Sequence, residues 1–153
     1  MKYKKILNKL IKKNYSFSVA ESCTGGRISS EITKIPGSSK VFYCGIIAYS
    51  NESKIKLLKI NKKKLLKFGA VSKEISIEMA KNLLKITKND FCISTTGISG
   101  PTGSTRLKKI GLTYICLYSK RKKIVYKKIF KGNRITIQRK ITNFVFNIIN
   151  KNT

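Results

Sequence analysis

Short apolar runs of strand type alternate with stretches whose apolar residues fall at helical spacing, and this alternation limits the chain to a few layered folds. Ile6, Leu7, Leu10 and Ile11 share one helix face, and SFSVAE behind them alternates polar and apolar as a strand does. Ser22-Cys23-Thr24-Gly25-Gly26 follows, then RISSEITKI, a helix that ends before Pro36-Gly37, so the glycines sit at a strand-to-helix turn. VFYCGIIAYS is a long, nearly unbroken apolar run of strand type, Asn51 offers an N-cap to ESKIKLLK, and the short helix KKKLLKF stops at Gly69. Ser72 can cap KEISIEMAKNLLKITK, where Met79, Ala80, Leu83 and Leu84 make one apolar stripe, and DFCISTT reads as a buried strand. A glycine-rich loop from Gly97 to Lys109 leads to IGLTYICLYS and KKIVYKKIF, which flank the polar SKRKK as the arms of a hairpin. Ile137, Ile141, Phe144, Val145 and Ile148 close the chain on an amphipathic helix. The expected architecture is a three-layer α/β fold, a mixed β-sheet with helices on both faces.

A chain of 153 residues with 41% hydrophobic content suits one domain over residues 1–153 with a single core. The apolar positions near the start are interrupted by Lys or Asn, unlike a signal peptide, and no run approaches the roughly 20 apolar residues that cross a bilayer. A soluble, cytoplasmic protein with no membrane partner is expected. Cys23, Cys44, Cys92 and Cys116 are far apart and lack a CxxC pair, so they read as reduced thiols. The last three sit in apolar runs, where Cys behaves as a small buried hydrophobe.

The formal charge of +28 invites a nucleic-acid reading, since lysines that neutralise phosphates bind any polyanion. Their distribution argues otherwise. The basic residues are overwhelmingly Lys, they occur on almost every segment, and Ile and Asn are abundant beside them. That pattern is compositional drift at tolerant surface sites, and no specific nucleic-acid partner is expected.

The chain contains no histidine, which removes Ser-His-Asp triads, Cys-His dyads and ordinary zinc hydrolase sites together. Its six carboxylates are scattered, so no metal site is expected either. Hydrolytic chemistry must then rest on Ser, Thr, Tyr, Lys or Cys. At Glu21-Ser22-Cys23-Thr24-Gly25-Gly26 a hydroxyl leaves a strand end and meets the start of a helix, whose N–H groups suit an oxyanion or a phosphate. Ser22 or Thr24 serves equally well as a plain N-cap. A lysine works as the base for a serine only when neutral, and moving its pKa from about 10.4 to about 7 costs roughly 4–5 kcal/mol. Burial and neighbouring positive charge both act in that direction, but composition does not select which lysine.

AESCTGG (20–26), PGSSKVFYCGIIAYSNESK (36–54), GAVSKEISIEMA (69–80) and TGISGPTG (96–103) together resemble the CinA C-terminal domain, the nicotinamide-nucleotide amidohydrolase family. Four motifs in order over nearly the whole chain make the resemblance specific, where one glycine cluster would be weak. It implies cofactor-free hydrolysis of the carboxamide of nicotinamide mononucleotide to the acid and ammonia, a step of pyridine nucleotide salvage, by a stand-alone form of the domain. Carried over by motif, it makes Ser22 the nucleophile and Lys54 of YSNESK the base, with Tyr49 relaying a proton or holding the lysine. Thr24, Gly25, Gly26, Ser39, Thr96 and Gly97 fall to substrate or oxyanion contacts, and Arg134 of GNR to the nucleotide phosphate.

The resemblance implies further glycines, a pair of acids and Lys-Pro after GISGP, where this chain has TGSTRLKKIGLT, so the resemblance does not carry over substrate contacts on that side. Two other readings stand beside the enzyme: a family member whose activity has decayed, and a basic nucleic-acid-binding module. The second would want Arg and aromatics interleaved on one face, whereas this chain has few arginines, no Trp, and Phe and Tyr mostly within strand-like runs. Self-association into a homo-oligomer is left open.

Overall fold

The computed structural model describes residues 2–153. Strands β1 (Phe17–Glu21), β2 (Phe42–Ile47), β3 (Phe91–Gly97), β4 (Leu112–Ser119) and β5 (Lys123–Ile129) form one sheet in the order β2-β1-β3-β4-β5. β1 runs parallel to both β2 and β3, while β4 is antiparallel to β3 and to β5. Helices α1 (Lys2–Lys12), α2 (Arg27–Thr33) and α6 (Arg134–Asn152) cover one face, and α3 (Asn51–Leu58), α4 (Lys62–Phe68) and α5 (Lys73–Thr87) the other. The sheet is mixed and lies between helices, as the alternating periodicity implies.

Period-two side-chain alternation feeds both layers. Phe17, Val19, Phe91 and Ile93 pack toward α1, α2 and α6, while Ala20 and Cys92 pack toward α3, α4 and α5. Phe17 stacks on Phe91 with ring centroids 5.2 Å apart, which joins the two central strands on the first face. Each fully buried Leu or Ile in these clusters contributes about 1.5–3 kcal/mol. β1 is buried at every position because strands flank it on both edges and helices on both faces.

Two details differ from the sequence reading. β2, an equally apolar run, is an edge strand whose residues alternate between half-buried and exposed, leaving Tyr43 and Ile47 open. Apolar content reports burial capacity and says nothing about which strands lie alongside. Consequently Cys44 on β2 is only half-buried, while Cys23, Cys92 and Cys116 are buried. The cap of α3 is Ser50, in a reciprocal capping box with Ser53, and Asn51 is the first helical residue. Asn61, Ser72 and Asn133 cap α4, α5 and α6 through their side-chain oxygens, each typically worth about 1 kcal/mol.

Among the described residues the ion pairs are Lys34–Glu31, Lys56–Glu52, Lys64–Glu78 and Lys81–Glu78, pairs of the kind that contribute about 0.2–1 kcal/mol. No described helix is long and apolar enough to cross a membrane. Among the described residues the cationic side chains lie mostly at the surface and Lys54 is the exception: it is 1% exposed, among the largest fully buried side chains.

Candidate active site

The parallel strands β2, β1 and β3 point their C-terminal ends the same way, and the segments that follow them converge on a cleft of ≈ 320 Å³. Crevices at the carboxyl ends of parallel strands are where open α/β sheets place ligands. Ser22 leaves the end of β1 with its N–H donating to Thr95 O at 3.0 Å. Ala48, just beyond β2, donates its N–H to Glu21 O at 2.8 Å, so the two strand ends are tied before their loops diverge. The Ser50 cap turns the chain into α3, whose first turn carries Lys54 inward beneath the cleft.

Lys54 Nζ has three polar neighbours: Ala48 O at 2.8 Å, Tyr49 O at 3.2 Å and Ser22 Oγ at 2.9 Å. No carboxylate pairs with it among the described residues. Burial lowers its pKa from the ordinary 10.5 to about 8, a differential of about 3 kcal/mol against the charged form. The cause is desolvation; neighbouring positive charge, the second influence expected from the sequence, plays no part. A neutral amine has two N–H bonds and one lone pair. The charged amine donates to both carbonyls and to Ser22 Oγ; when it gives up a proton and the carbonyls keep the two N–H bonds, the lone pair faces the Ser22 hydroxyl. The adjacent Cys23 also lines the cleft, but burial pushes its thiol up to about 12, so it holds its proton where Lys54 has begun to lose its own.

Tyr49 divides its roles. Its backbone carbonyl holds Lys54, while its exposed phenol accepts a 2.6 Å hydrogen bond from Arg134 Nη2. Arg134, at the start of α6, also donates from Nη1 to Gly100 O at 2.8 Å, so its guanidinium spans the cleft mouth between the loops after β2 and β3. Thr96 and Gly97 line the cleft wall, and the Thr96 hydroxyl is committed to Ala70 O at 2.7 Å.

The remaining expected residues lie elsewhere. Ser39, in the short 3₁₀ turn Ser38–Lys40, precedes β2 and is exposed at the opposite end of the sheet, because parallel pairing aligns Phe42 with Phe17 at the start of β1. It does not face the cleft. Thr24 points inward and pairs its hydroxyl with Thr95 Oγ1 at 2.9 Å. Gly25 and Gly26 line a neighbouring concavity with Arg27 and Gln138. The N–H groups of Gly26, Ile28 and Ser29 at the start of α2, read from the sequence as an anion site, are already taken by the Glu21 carboxylate.

The sequence reading did not single out Ser99 or Gln138, which both donate to Cys23 O, at 3.1 and 2.9 Å, and so hold the peptide after Ser22. Gln138 lies one helical turn beyond Arg134, a spacing that puts both on the same face of α6. A larger concavity of ≈ 530 Å³ opens at the other end of the sheet, lined by Lys88, Asp90, Lys120 and Arg121. It holds no nucleophile paired with a base, since the Ser119 hydroxyl there is bonded to Lys122 O within the hairpin turn.

The profile of the CinA C-terminal domain matches residues 2–153. A CinA-like protein of Kosmotoga olearia is 45% identical over 146 residues, covering 95% of this chain and 35% of the relative. A CinA-like protein of Thermosipho melanesiensis is 44% identical over 148 residues, covering 95% of this chain and 36% of the relative. The chain thus spans about a third of the length of these curated relatives. Among solved structures, a CinA superfamily protein from Klebsiella pneumoniae superposes with a TM-score of 0.94 at 21% identity, over 98% of this chain and 94% of that one. A competence/damage inducible protein from Agrobacterium tumefaciens gives a TM-score of 0.90 at 27% identity, over 97% and 94% of the two chains.

Proposed function

The chain belongs to the CinA C-terminal domain family, and from that premise we propose that it hydrolyses the carboxamide of nicotinamide mononucleotide to the carboxylic acid and ammonia. The observation that carries this reading is the buried Lys54 amine, 2.9 Å from Ser22 Oγ and without an acidic partner. A buried lysine next to a hydroxyl, with burial lowering its pKa to about 8 so that a usable fraction of the amine is neutral near neutral pH, suits a serine nucleophile where no histidine exists.

In the proposed reaction the Ser22 oxygen bonds to the carboxamide carbon while its proton passes to Lys54. The tetrahedral adduct collapses as Lys54 returns that proton to the amide nitrogen, the C–N bond breaks and ammonia leaves an ester on Ser22. Water then gives a proton to Lys54 and adds to the ester carbon, Ser22 departs with that proton, and the acid is released. One amide and one water become one acid and one ammonia, with no metal or cofactor called upon. Arg134 offers a fork of donors at the cleft mouth, suited to a phosphate once it exchanges its Tyr49 and Gly100 partners for the ligand. The cleft, at ≈ 320 Å³, is within the range of small-molecule sites.

The deciding experiment follows ammonia release from nicotinamide mononucleotide by the wild type and by Ser22→Ala. Turnover by the wild type that Ser22→Ala abolishes is the expected result. Turnover that survives Ser22→Ala, or none by the wild type, overturns the proposal.

A further inference from the structure

Glu21, the last residue of β1, is fully buried and has no cationic partner among the described residues. Its Oε2 accepts the N–H groups of Gly26 at 3.0 Å and Ile28 at 3.1 Å. Its Oε1 accepts the N–H of Ser29 at 2.8 Å and the Ser29 hydroxyl at 2.6 Å. A carboxylate out of water is tolerated only with such a complete set of donors. The other capped helices use a neutral Ser or Asn immediately before their first turn. Here a full charge reaches forward from the preceding strand, and Ser22 lies inside the closed span.

The surroundings are cut to fit this clasp. A Cβ on Gly45 of β2 would run into the Ser29 hydroxyl, and one on Gly26 would meet Ile47 Cδ1 at 2.7 Å. Gly26 has a φ of 90°, a left-handed conformation that favours glycine.

We propose that Glu21 is a positioning residue: by clasping Gly26, Ile28 and Ser29 it fixes the turn that sets the Ser22 hydroxyl against the Lys54 amine. The proposal rests on the reading of Ser22 and Lys54 as nucleophile and base. The carboxylate bonds to neither of them, so its effect on the reaction passes through the backbone of residues 22–26. A serine held about 1 Å out of place loses most of its advantage as a nucleophile.

The test separates this role from simple capping by reading the nucleophile directly. An aryl sulfonyl fluoride labels an activated serine: the Ser22 oxygen bonds to sulfur, fluoride leaves, and the proton goes to Lys54. Labelling rates and ammonia release from nicotinamide mononucleotide are measured on the full chain for the wild type, Glu21→Gln and Ser29→Ala, with Ser22→Ala as blank. Each is assayed well below its melting temperature. Glu21→Gln keeps the size but loses one acceptor oxygen, and we expect labelling and kcat to fall together about 10- to 100-fold, with Ser29→Ala losing about threefold. KM should stay within about twofold, because the substrate contacts are untouched. Labelling and kcat within about twofold of wild type in a folded but less stable Glu21→Gln would reduce the carboxylate to a helix cap and overturn the proposal. If Glu21→Gln does not fold, wild-type labelling by Ser29→Ala overturns it instead. A wild type that labels at Ser22 but releases no ammonia defeats the substrate reading alone, leaving Glu21 to be judged on labelling. A wild type whose Ser22 takes no label defeats the dyad and this proposal with it.

Discussion

The turn after β1 and the loop after β3 both deliver glycines to the same end of the sheet, yet they are held in opposite ways. Residues 21–24 are buried, and the chain around them is bonded at Ser22, at Cys23 O, and at Gly26, Ile28 and Ser29 through Glu21. From Pro101 to Leu107 the second segment is exposed, and its backbone bonds run within itself, between Thr105 and Lys108. Covalent chemistry demands placement to a fraction of an ångström, which only interlocked bonds supply. Recognition of a substrate's outer parts tolerates looser construction, and loops of that kind change composition without disturbing the core.

The largest effects should therefore come from the tight end. Ser22→Ala and Lys54→Ala should each lower kcat by about 10³-fold or more, and the double mutant should be scarcely worse than either, as for residues acting in one unit. Lys54→Arg should be as damaging as Lys54→Ala, since a guanidinium keeps its proton and accepts none. Substantial activity in Lys54→Arg would make Lys54 an electrostatic anchor and dissolve the contrast between the two segments.

The pH profile sharpens the same point. In the proposed mechanism Lys54 serves as base only when neutral, and burial lowers its pKa to about 8, so kcat/KM should rise with pH and level off above that value. Below it, each unit should cost about tenfold. A profile flat between pH 6 and 9 would exclude Lys54 as the base.

The layered fold was readable because its signal is redundant: each helix carries several apolar residues at one spacing, and each central strand alternates into two layers. β2 escaped because an edge strand and a central strand have the same composition, and the difference lies in what pairs alongside. At the site, Ser22 and Lys54 were marked by motif, but their contact spans 32 residues and no local pattern announces it. Glu21 was legible only as a letter before Ser22. Its meaning depends on where the N–H groups of α2 point, a property of folded geometry. Ser39 misled for the same reason, since nearness in a motif is not nearness at one end of a sheet.

Burial of Lys54 has a thermodynamic consequence independent of activity. Between about pH 8 and 10.5 the unfolded chain binds a proton on this lysine that the folded chain has released, so folding stability gains with rising pH across that window. The gain amounts to about 3 kcal/mol in all. Urea denaturation of the wild type and of Lys54→Met at pH 7 and 10 reads it as a difference, in which the effects of the surface lysines cancel. The wild type should gain on the mutant by a few kcal/mol as pH rises. An equal pH response in both proteins would mean that Lys54 is well hydrated.

The smallest effects should come from the exposed loop. Thr102 lines the cleft mouth but is solvent-exposed, and removing its hydroxyl orphans no buried partner. Thr102→Ala should keep stability within about 0.5 kcal/mol, as surface substitutions do. With contacts to substrate that are the same in ground and transition states, KM should rise by no more than about threefold with kcat unchanged. Thr96→Ala is the matched substitution on the wall of the same cleft: it leaves Ala70 O without its 2.7 Å donor and should lower stability by about 1–3 kcal/mol. Michaelis parameters and denaturation curves for the pair check both statements. If Thr102→Ala instead lowers kcat tenfold at constant KM, the loop reaches the reacting atoms, and the division into a fixed chemical end and a loosely built recognition end is wrong.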